Sequence, residues 1–446
     1  MISILEFQRR SETGPVMEVN DFDMVVASTM KKLVKKYGIM YNPEELVVND
    51  ETADKVFQAA VEYVSTVGLY NVSTFRQILF SKEEVEDIAR DYRENQRTQV
   101  FGQGKEEILI RYRTSLESQP PVAMVGSTGP VEEDWFIPWF QNLAQEPANH
   151  GMGCCGGIKS IGGIEPKAGT VSELYLGLWE QEALLEALRR AGREGMHLGV
   201  LATVFTFGGV AAVMQNGLRN KHNTQLGIHL MAEQKLDYSR LLTAYFCEQN
   251  GMQPWTSATA IIGGLTGGPA GTAVGLLGNL LGQLAFGHGT VGSLFTGHLG
   301  GHGGTREACW VYSAAARAAE RNIHVPIGGT AGANHFLRGT PVTLYQQMAS
   351  MITNTASGMA YLWAVGISGL ETRIAVDAMQ GIGGVMMALF LYLFFAPWQS
   401  FKNAVAAENF PKAAGHMARI RWIIGVNLVL GLITAAIGAI GAFVVG

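Results

Sequence analysis

Apolar side chains recur every three or four positions along the first part of the chain, over residues 53–64 and 82–92. This spacing is typical of amphipathic helices, and Ser81 stands where it can cap the second one. Charged residues fill most of the intervening positions. The pattern predicts an N-terminal helical cap over residues 1–118.

From residue 119 the pattern changes to a short apolar run, a glycine or proline turn and then a helical period, several times over. Such alternation indicates β–α units. Eight units favour an α/β fold, a closed (β/α)8 TIM-type barrel over residues 119–380. The predicted strands are 122–125, 198–205, 225–230, 256–262, 291–296, 324–327 and 361–367 with a weaker one at 154–161, and the predicted helices are 171–191, 238–249, 272–285, 305–321 and 341–353.

No charged side chain occurs between Glu248 and Arg306, and glycine interrupts this stretch every few residues. Such a stretch lies either in lipid or inside a barrel. Membrane-spanning helices need about 20 uninterrupted apolar residues, whereas these runs stop at turns, so the glycine spacing favours the barrel. The alternative is a transporter-like membrane protein of packed glycine-rich helices. The charged helices predicted at 173–193 and 238–248 argue against it.

Composition narrows the class of partner. The 446 residues are 48% hydrophobic, which supplies a sizeable core, and 16% charged with a formal net charge of -5. A chain without a basic surface is a poor match for a phosphate backbone, so we exclude nucleic acid as a partner. The four cysteines are too few and too poorly spaced for a disulfide framework, which fits a reducing compartment. The arginines of the N-terminus follow its apolar residues, unlike those of a signal peptide.

The chemistry of a β/α barrel lies where its strands end and the next loops begin. At these positions the chain has small residues, among them Gly263-Gly264 and Gly328-Gly329. Small residues leave room for a large flat group or for the cofactor of a partner protein. They suit tight turns equally well.

Histidines are the second candidate group at this end of the barrel. His298 and His302 lie in one loop, and together with His288 their spacing permits a metal site. We predict no metal, because a glycine-rich loop holds ligands poorly and no carboxylate accompanies the histidines. Single histidines lining the mouth are the interpretation that we favour.

Several segments resemble the corrinoid-dependent monomethylamine methyltransferases of methylotrophic methanogens, and they follow one another in the same order. The resemblance covers about residues 30–380, and the shared order is more specific than any one motif. The matching segments are residues 35–39, 126–133, 191–196, 304–307, 351–358 and 369–373.

The resemblance implies a (β/α)8 barrel whose mouth receives a methylamine and the cobalamin of a separate corrinoid protein, to whose reduced cobalt the methyl group moves. Gly263, Gly264, Gly328 and Gly329 would then face the cobalamin. An amine is a poor leaving group, so the nitrogen must be positive and one methyl must be oriented for in-line attack. The archaeal family members use pyrrolysine for this purpose. The corresponding position here is Leu201 or a neighbour, which offers no electrophilic imine.

Other pocket positions of the family are partly kept. Glu233 corresponds to a glutamate of the family, whereas polar pocket positions are replaced near Ser257 and Ile323. A donor that is already a cation, such as a quaternary ammonium, needs no electrophile. We therefore predict a methylated amine other than monomethylamine, held by Glu233.

The aromatic and imidazole side chains complete the predicted site. Trp255 or Trp310 would offer an aromatic face to the ammonium, and His298 and His302 would supply acid–base or cobalamin contacts. The sequence agrees equally well with an alternative, in which Glu233 is a solvated carboxylate at a helix start and both tryptophans belong to the core. A barrel that binds a methylated amine or a corrinoid protein without catalysing transfer is a further alternative.

The tail, residues 381–446, departs from the family. Residues 381–398 and 422–445 are apolar, carry no charge and are long enough, or nearly so, to cross a bilayer, so they predict a membrane hairpin. An excess of basic residues between them favours a cytoplasmic loop and an external barrel. Strongly reduced cobalt belongs in the cytosol, so we favour a cytoplasmic barrel, anchored at most through this tail. The alternatives for the tail are a single anchor at 422–445, a first run that forms a barrel or oligomer helix, and an unrelated fused tail. For the whole protein we expect a homo-oligomer. The loop charges are Lys402, Glu408, Lys412, Arg419 and Arg421.

Overall fold

The chain forms two compact units, Met1–Met348 and Ala349–Gly446, in a computed structural model. The structure describes residues 2–45, 47–112, 114, 122, 124–125, 131–147, 149–152, 157–198, 206–215, 220, 222–252, 254–287, 290–298, 301–302, 306–325, 373–407 and 409–441.

Four helices form most of the N-terminal region, as the apolar period predicts. They are α1 (Ile4–Thr13), α2 (Val19–Tyr37), α3 (Asp50–Val67) and α4 (Lys82–Glu94). Ser81 caps α4 in a reciprocal capping box with Glu84, which confirms the predicted start of this helix.

The N-terminal region also contains strands that the helical prediction missed. β1 (Leu69–Asn71) pairs antiparallel with β2 (Arg76–Ile78), and β3 (Thr98–Phe101) pairs antiparallel with β4 (Ile108–Arg111). Strands of three or four residues are too short to show a period of two. The purely helical cap is therefore wrong in this detail.

Parallel strands follow one another in chain order through the rest of the first unit. β5 (Met124–Val125), β6 (Gly151–Met152) and β7 (His197–Leu198) form one parallel sheet. A parallel bridge from Leu198 to Thr224 leads toward β8 (Leu226–Gly227), which pairs with β10 (Pro254–Ile262) and through it with β11 (Thr290–His298). Two further short strands are β9 (Lys235–Leu236) and β12 (Gly301–His302).

The fold is mixed helix and strand, as the predicted α/β class requires. Of the weak strand predicted at 154–161, residues 154–156 lie outside the described residues, and Ile158 and Ile161 form only isolated bridges, whereas a strand is present at Gly151–Met152. In the strand predicted at 324–327, residues 324 and 325 are not in a strand. The rest of that strand, the strand at 361–367 and the helix at 341–353 lie outside the described residues.

Helices alternate with the parallel strands. α6 (Val171–Arg190), α8 (Tyr238–Gln249), α9 (Pro269–Gly287) and α10 (Arg306–Asn322) confirm four predicted helices. α5 (Glu133–Gln145) and α7 (Phe207–Met214) are additional.

Helix α9 occupies the centre of the main core. Its residues from Gly271 to Gly287 are all buried, and its apolar side chains join one cluster with those of α2, α3, α4 and α10. A helix that is buried on every side needs no polar face. Burial within the protein therefore explains why α9 carries no charge, and α9 packs between the N-terminal helices and the strands.

The described part of the second unit, from residue 373, is a bundle of three helices, α11 (Arg373–Phe395), α12 (Pro397–Ala406) and α13 (Phe410–Gly441). Leu393, Ile420 and Ile423 pack together, and the Asn427 side-chain amide donates to the Met386 carbonyl at 3.4 Å. By length and hydropathy two helical segments of the described chain are able to span a membrane. Pro269–Gly287 is 94% buried and Gly381–Val405 only 11% buried.

Candidate functional site

The carboxyl end of the β8–β10–β11 sheet brings several predicted residues together. Ile262 at the end of β10 lies opposite His298 at the end of β11, so the Gly263-Gly264 turn begins beside that histidine. β11 then turns back through the short antiparallel pair with β12, which places His302 opposite Gly297. Gly263 and Gly264, two of the predicted cofactor-contacting glycines, thus share one edge with His298 and His302.

Backbone hydrogen bonds fold the loop after β10 into a compact turn. The Gly263 amide donates to the Gly267 carbonyl at 2.8 Å, and the Gly267 amide donates back to Gly264 at 2.9 Å. Gly263 has a φ of 87° and Gly267 a φ of 79°, backbone conformations that disfavour any side chain. A Cβ on Gly267 or Gly268 would meet nothing within 4 Å. The loop therefore presents bare backbone in open space, which suits the approach of a large flat group.

Glu233 lies in the turn that follows β8. The turn is closed by the Met231 amide, which donates to the Lys235 carbonyl at 2.9 Å, and by the Gln234 amide, which donates to the Met231 carbonyl at 3.0 Å. Lys235 forms an ion pair with Asp23 of α2 at 2.6 Å. Glu233 is half-buried. The ion pair of Lys235 ties the turn that carries Glu233 to the N-terminal helix α2.

A buried polar cluster that the sequence analysis did not identify lies against this turn. Within otherwise apolar α9, the Asn279 amide donates to the Met231 carbonyl at 2.8 Å and its carbonyl oxygen accepts from the Thr259 amide of β10 at 3.1 Å. Gln283 donates to Asn279 at 2.6 Å. The sequence does contain a sign of this cluster, since two amides four residues apart share one face of a charge-free helix.

Tyr63 of α3 belongs to the same region. It is fully buried, and burial together with the nearby charge of Glu233 raises the pKa of its hydroxyl. Within the described part of the chain, neither the Tyr63 hydroxyl nor the Gln234 side-chain nitrogen has a hydrogen-bond partner. The neighbourhood of Glu233 therefore keeps unused hydrogen-bonding groups.

A second buried carboxylate secures the loop that precedes α7. Glu173 of α6 is 0% exposed and accepts hydrogen bonds from the amides of Gly169 at 2.6 Å and Gly209 at 2.9 Å, and from the Thr206 hydroxyl. These donors include the first turn of α7, where a negative charge is favoured by the helix dipole. The carboxylate fixes the start of the helix that follows the Leu201 segment.

Two predicted residues of β10 lie away from this edge. Trp255 pairs with Gly227 and Thr290 at the amino end of β10, and Ser257 lies opposite Ser293 within the strand. The roles predicted for Trp255 and Ser257 stay predictions.

Two more of the predicted aromatic and apolar positions lie in the core. Ile323 is buried directly after α10, and Trp310 is buried with its ring edge-on to Tyr41 at 5.6 Å. Both side chains are thus part of the core, and the substrate contacts predicted for them stay predictions. Leu201, Gly328, Gly329 and His288 lie outside the described residues.

The comparisons with known proteins agree with this arrangement. The family model described as monomethylamine methyltransferase MtmB matches residues 2–389. Monomethylamine methyltransferase MtmB2 of Methanosarcina acetivorans is 23% identical over 399 residues, covering 85% of this chain and 84% of the relative. MtmB1 of Methanosarcina barkeri is 23% identical over 406 residues, with the same shares of 85% and 84%.

Solved structures show the same likeness in fold. The crystal structure of the Methanosarcina barkeri monomethylamine methyltransferase MtmB has a TM-score of 0.68 at 21% identity, and the match covers 74% of this chain and 71% of that one. The crystal structure of the hydroxylamine complex of MtmB gives the same values, a TM-score of 0.68 and 21% identity. The family match spans the N-terminal helices and the parallel strands, and it confirms the resemblance found in the sequence. The chain belongs to the monomethylamine methyltransferase family.

Proposed function

We propose that this protein is a methyltransferase that moves a methyl group from a methylated amine to the cobalt of a corrinoid protein. The family match over residues 2–389 carries this proposal. The site supports it, because β8 and β10 are neighbours in one parallel sheet. The turn after β8 carries the Glu233 carboxylate, and the turn after β10 is the open Gly263-Gly264 turn. We also propose that the strands close into a (β/α)8 barrel, which their sequential parallel order supports.

The transfer step needs a leaving nitrogen and an electron-rich acceptor. The carbon–nitrogen bond breaks with its electron pair left on nitrogen, which departs as a neutral amine. Reduced cobalt(I) supplies the electron pair of the new carbon–cobalt bond. Glu233 would hold the ammonium by charge and fix one methyl on the line of attack. A carboxylate favours the cationic donor, so its role is binding and orientation.

The substrate class follows from what stands at the electrophile position. In the family resemblance Leu201 replaces a residue that would activate the amine, so we propose a donor that is already a permanent cation, a quaternary methylammonium. Such a donor needs a counter-charge and an apolar wall, and a leucine is compatible with both. Mono-, di- and trimethylamine are the competing donors.

The corrinoid acceptor would approach the carboxyl edge of the sheet. The bare Gly267–Gly268 backbone is compatible with a macrocycle face, because among the described residues no side chain lies within 4 Å of a Cβ built on either glycine. We propose that Gly263 and Gly264 set the height of this surface and that His298 and His302 contact the corrinoid or its protein. Gly328 and Gly329 remain proposed contacts by resemblance.

The proposal is tested by methyl transfer to cob(I)alamin. Purified full-length protein is incubated with cob(I)alamin and, separately, with mono-, di-, tri- and tetramethylammonium and a larger quaternary donor, while methylation of cobalt is followed by visible absorption. Transfer from one donor class identifies the substrate class. Silence across the panel from folded protein contradicts the proposal and favours a barrel that binds without catalysing transfer.

A charge-neutral variant sharpens the test. Glu233→Gln keeps the size of the side chain and removes its charge, so we expect KM for the quaternary donor to rise at least about tenfold, the equivalent of about 1.4 kcal/mol. Glu248→Gln, an exposed carboxylate at the end of α8, is the matched control and should leave KM unchanged. Equal KM values for Glu233→Gln and the wild type would remove Glu233 from the site.

For the tail we propose association with a lipid bilayer while the catalytic unit stays in the cytoplasm. The segment Gly381–Val405 is apolar and only 11% buried, so its surface is not covered within the described chain. Flotation of the full chain and of a chain ending at residue 380 with liposomes tests this. Retention of the full chain alone supports the anchor. A full chain that stays in solution as a larger oligomer than the truncated one would assign the tail to self-association, in line with the predicted homo-oligomer.

A further inference from the structure

We propose that Asn279 is a positioning residue that sets the place of Glu233. This inference rests on the proposed function of Glu233 and names the group that orients it. Asn279 lies on α9, outside the turn and outside the strands, yet it bonds to both. Its role would be to hold the Glu233 turn at a defined level relative to β10.

The hydrogen bonds of Asn279 join two neighbouring β–α segments. Its Nδ2 donates to the Met231 carbonyl at 2.8 Å and to Gln234 Oε1 at 3.3 Å, and its Oδ1 accepts from the Thr259 amide at 3.1 Å. The side-chain NH2 group of Asn279 therefore bonds to Met231 and Gln234, on either side of Glu233 in the turn, and its side-chain oxygen bonds to β10. One amide side chain makes both sets of bonds because it has two donors and one acceptor oxygen.

The backbone of the turn needs such support. Gln234, the residue after Glu233, has a φ of 64°, an uncommon conformation for a residue with a side chain. Conformations of this kind persist where surrounding contacts over-determine them, and they cluster at functional sites. Gln234 is 0% exposed, so its contact with Asn279 acts on a side chain that solvent does not reach.

The N-terminal helices complete the support. The Gln234 carbonyl accepts from the Tyr70 amide at 3.0 Å, and β9 directly after it pairs in parallel with β1. The Glu233 turn is thus held from α9 on one side and from the N-terminal region on the other. Of these contacts only those of Asn279 also reach β10, whose end leads into the Gly263-Gly264 turn.

Glycines in α9 permit this close approach. A Cβ on Gly278 would lie 2.6 Å from Tyr63 Cδ1 and 3.4 Å from Gln234 Nε2, and a Cβ on Gly282 would lie 2.8 Å from Leu69 Cδ2 and 3.5 Å from Gln234 Oε1. Bare backbone on both sides of Asn279 brings the helix near enough for its short side chain to reach the turn. Gly278, Asn279 and Gly282 of α9 therefore all lie against the Glu233 turn.

Two variants of Asn279 separate positioning from packing. Asn279→Ala removes all of its hydrogen bonds without adding volume. Asn279→Asp keeps the shape and the acceptor oxygen but loses the donor to Met231. A protonated aspartate restores that donor, so the defect of Asn279→Asp should grow as pH rises through the pKa of the new carboxyl group. Loss of packing alone would show no such pH dependence.

Transfer kinetics and hydrogen exchange give the readouts. We expect Asn279→Ala to lower kcat/KM by about 10- to 100-fold, the range for a misplacement of about 1 Å, and to add little to Glu233→Gln in the double variant. Amide exchange should rise in residues 231–236 and stay unchanged in α6. Wild-type kcat/KM, or fully additive losses in the double variant, would overturn the proposal.

The two proposals fail in different ways. If the wild type transfers no methyl group from any donor, the proposed function fails, and hydrogen exchange alone then judges Asn279. A turn at 231–236 that exchanges as in the wild type in both variants overturns the positioning role. A turn that exchanges faster supports it, whatever the substrate.

Discussion

The junction between the glycine turn and α9 offers a matched pair of substitutions with opposite expected effects. A Cβ on Gly271 would lie 2.0 Å from the Thr266 carbonyl oxygen and 3.0 Å from Met30 Cγ. A Cβ on Gly268, three residues earlier, would meet nothing within 4 Å. We therefore expect Gly271→Ala to destabilise the protein and Gly268→Ala to leave it unchanged or slightly more stable.

The magnitude follows from the contact. Relief of the overlap at Gly271 requires a carbonyl of the turn to move by about 1 Å to reach an ordinary contact, and overpacking of this kind costs about 1–3 kcal/mol. At Gly268, which precedes the helix, alanine recovers about 0.5–1 kcal/mol of chain entropy. At Gly271, within α9, it recovers a similar amount through chain entropy and helix propensity together. The net expectation is a loss of about 1–2 kcal/mol for Gly271→Ala and a gain of up to about 1 kcal/mol for Gly268→Ala.

Equilibrium unfolding in urea, followed by tryptophan fluorescence, measures both changes. The transition midpoint should fall for Gly271→Ala and hold or rise for Gly268→Ala, with equal slopes because the surface exposed on unfolding is the same. A Gly271→Ala protein as stable as the wild type would refute the geometry of the turn. It would mean that the Gly263–Gly267 hydrogen bonds do not fix the Thr266 carbonyl against α9.

Three further predictions concern groups around this core. Glu173→Gln should lose about 2–3 kcal/mol of unfolding free energy, because a neutral amide replaces a buried carboxylate that accepts from Gly169, Thr206 and Gly209; unchanged urea stability would argue against the cap on α7. Ser81→Ala should lose about 1 kcal/mol by breaking the capping box of α4, measured in the same way. Burial, with a smaller effect of Arg240, lowers the pKa of His229 to about 3. The native state therefore keeps His229 neutral, and the free energy of unfolding should fall by up to about 1.4 kcal/mol per pH unit as pH drops from about 6.5 toward 3. A His229→Gln variant should show a shallower fall. An equal fall in the variant would assign the pH dependence to other groups.

Local structure was predictable where the signal is local. α8 begins and ends where its apolar period does, and Ser81 starts α4, because caps and periods depend on neighbours within a few residues. The short strands were missed or misplaced for the opposite reason. β6 has two residues and is defined by its pairing with distant strands, and β1 is defined by a hairpin and by a parallel pair with β9.

The residues of the candidate site also differ in how well the sequence alone could predict them. The place of the Gly263-Gly264 turn and of the histidines was predictable, because strand ends in a parallel sheet meet at one edge. Glu233 was proposed from the family resemblance alone. Asn279 was not, since its partners Met231 and Thr259 lie 48 and 20 residues away and only the fold brings them within hydrogen-bond distance. A polar residue in an apolar helix predicts a buried hydrogen bond, but the partner depends on tertiary packing.

Hydropathy alone does not separate the two membrane-like helices, and burial does. α9 and the Gly381–Val405 segment have mean hydropathies of 1.2 and 1.7, yet the first is 94% and the second 11% buried. Full burial explains every unusual feature of α9, since glycines admit close neighbours and Asn279 and Gln283 find partners inside. The glycines of α11 have no such neighbours in the part of the chain that the structure describes, where a Cβ on Gly381, Gly383 or Gly384 would meet nothing within 4 Å. Apolar surface of that extent is unfavourable in water, so the helix that carries it requires a cover, and the liposome experiment decides whether lipid or another copy of the chain provides it.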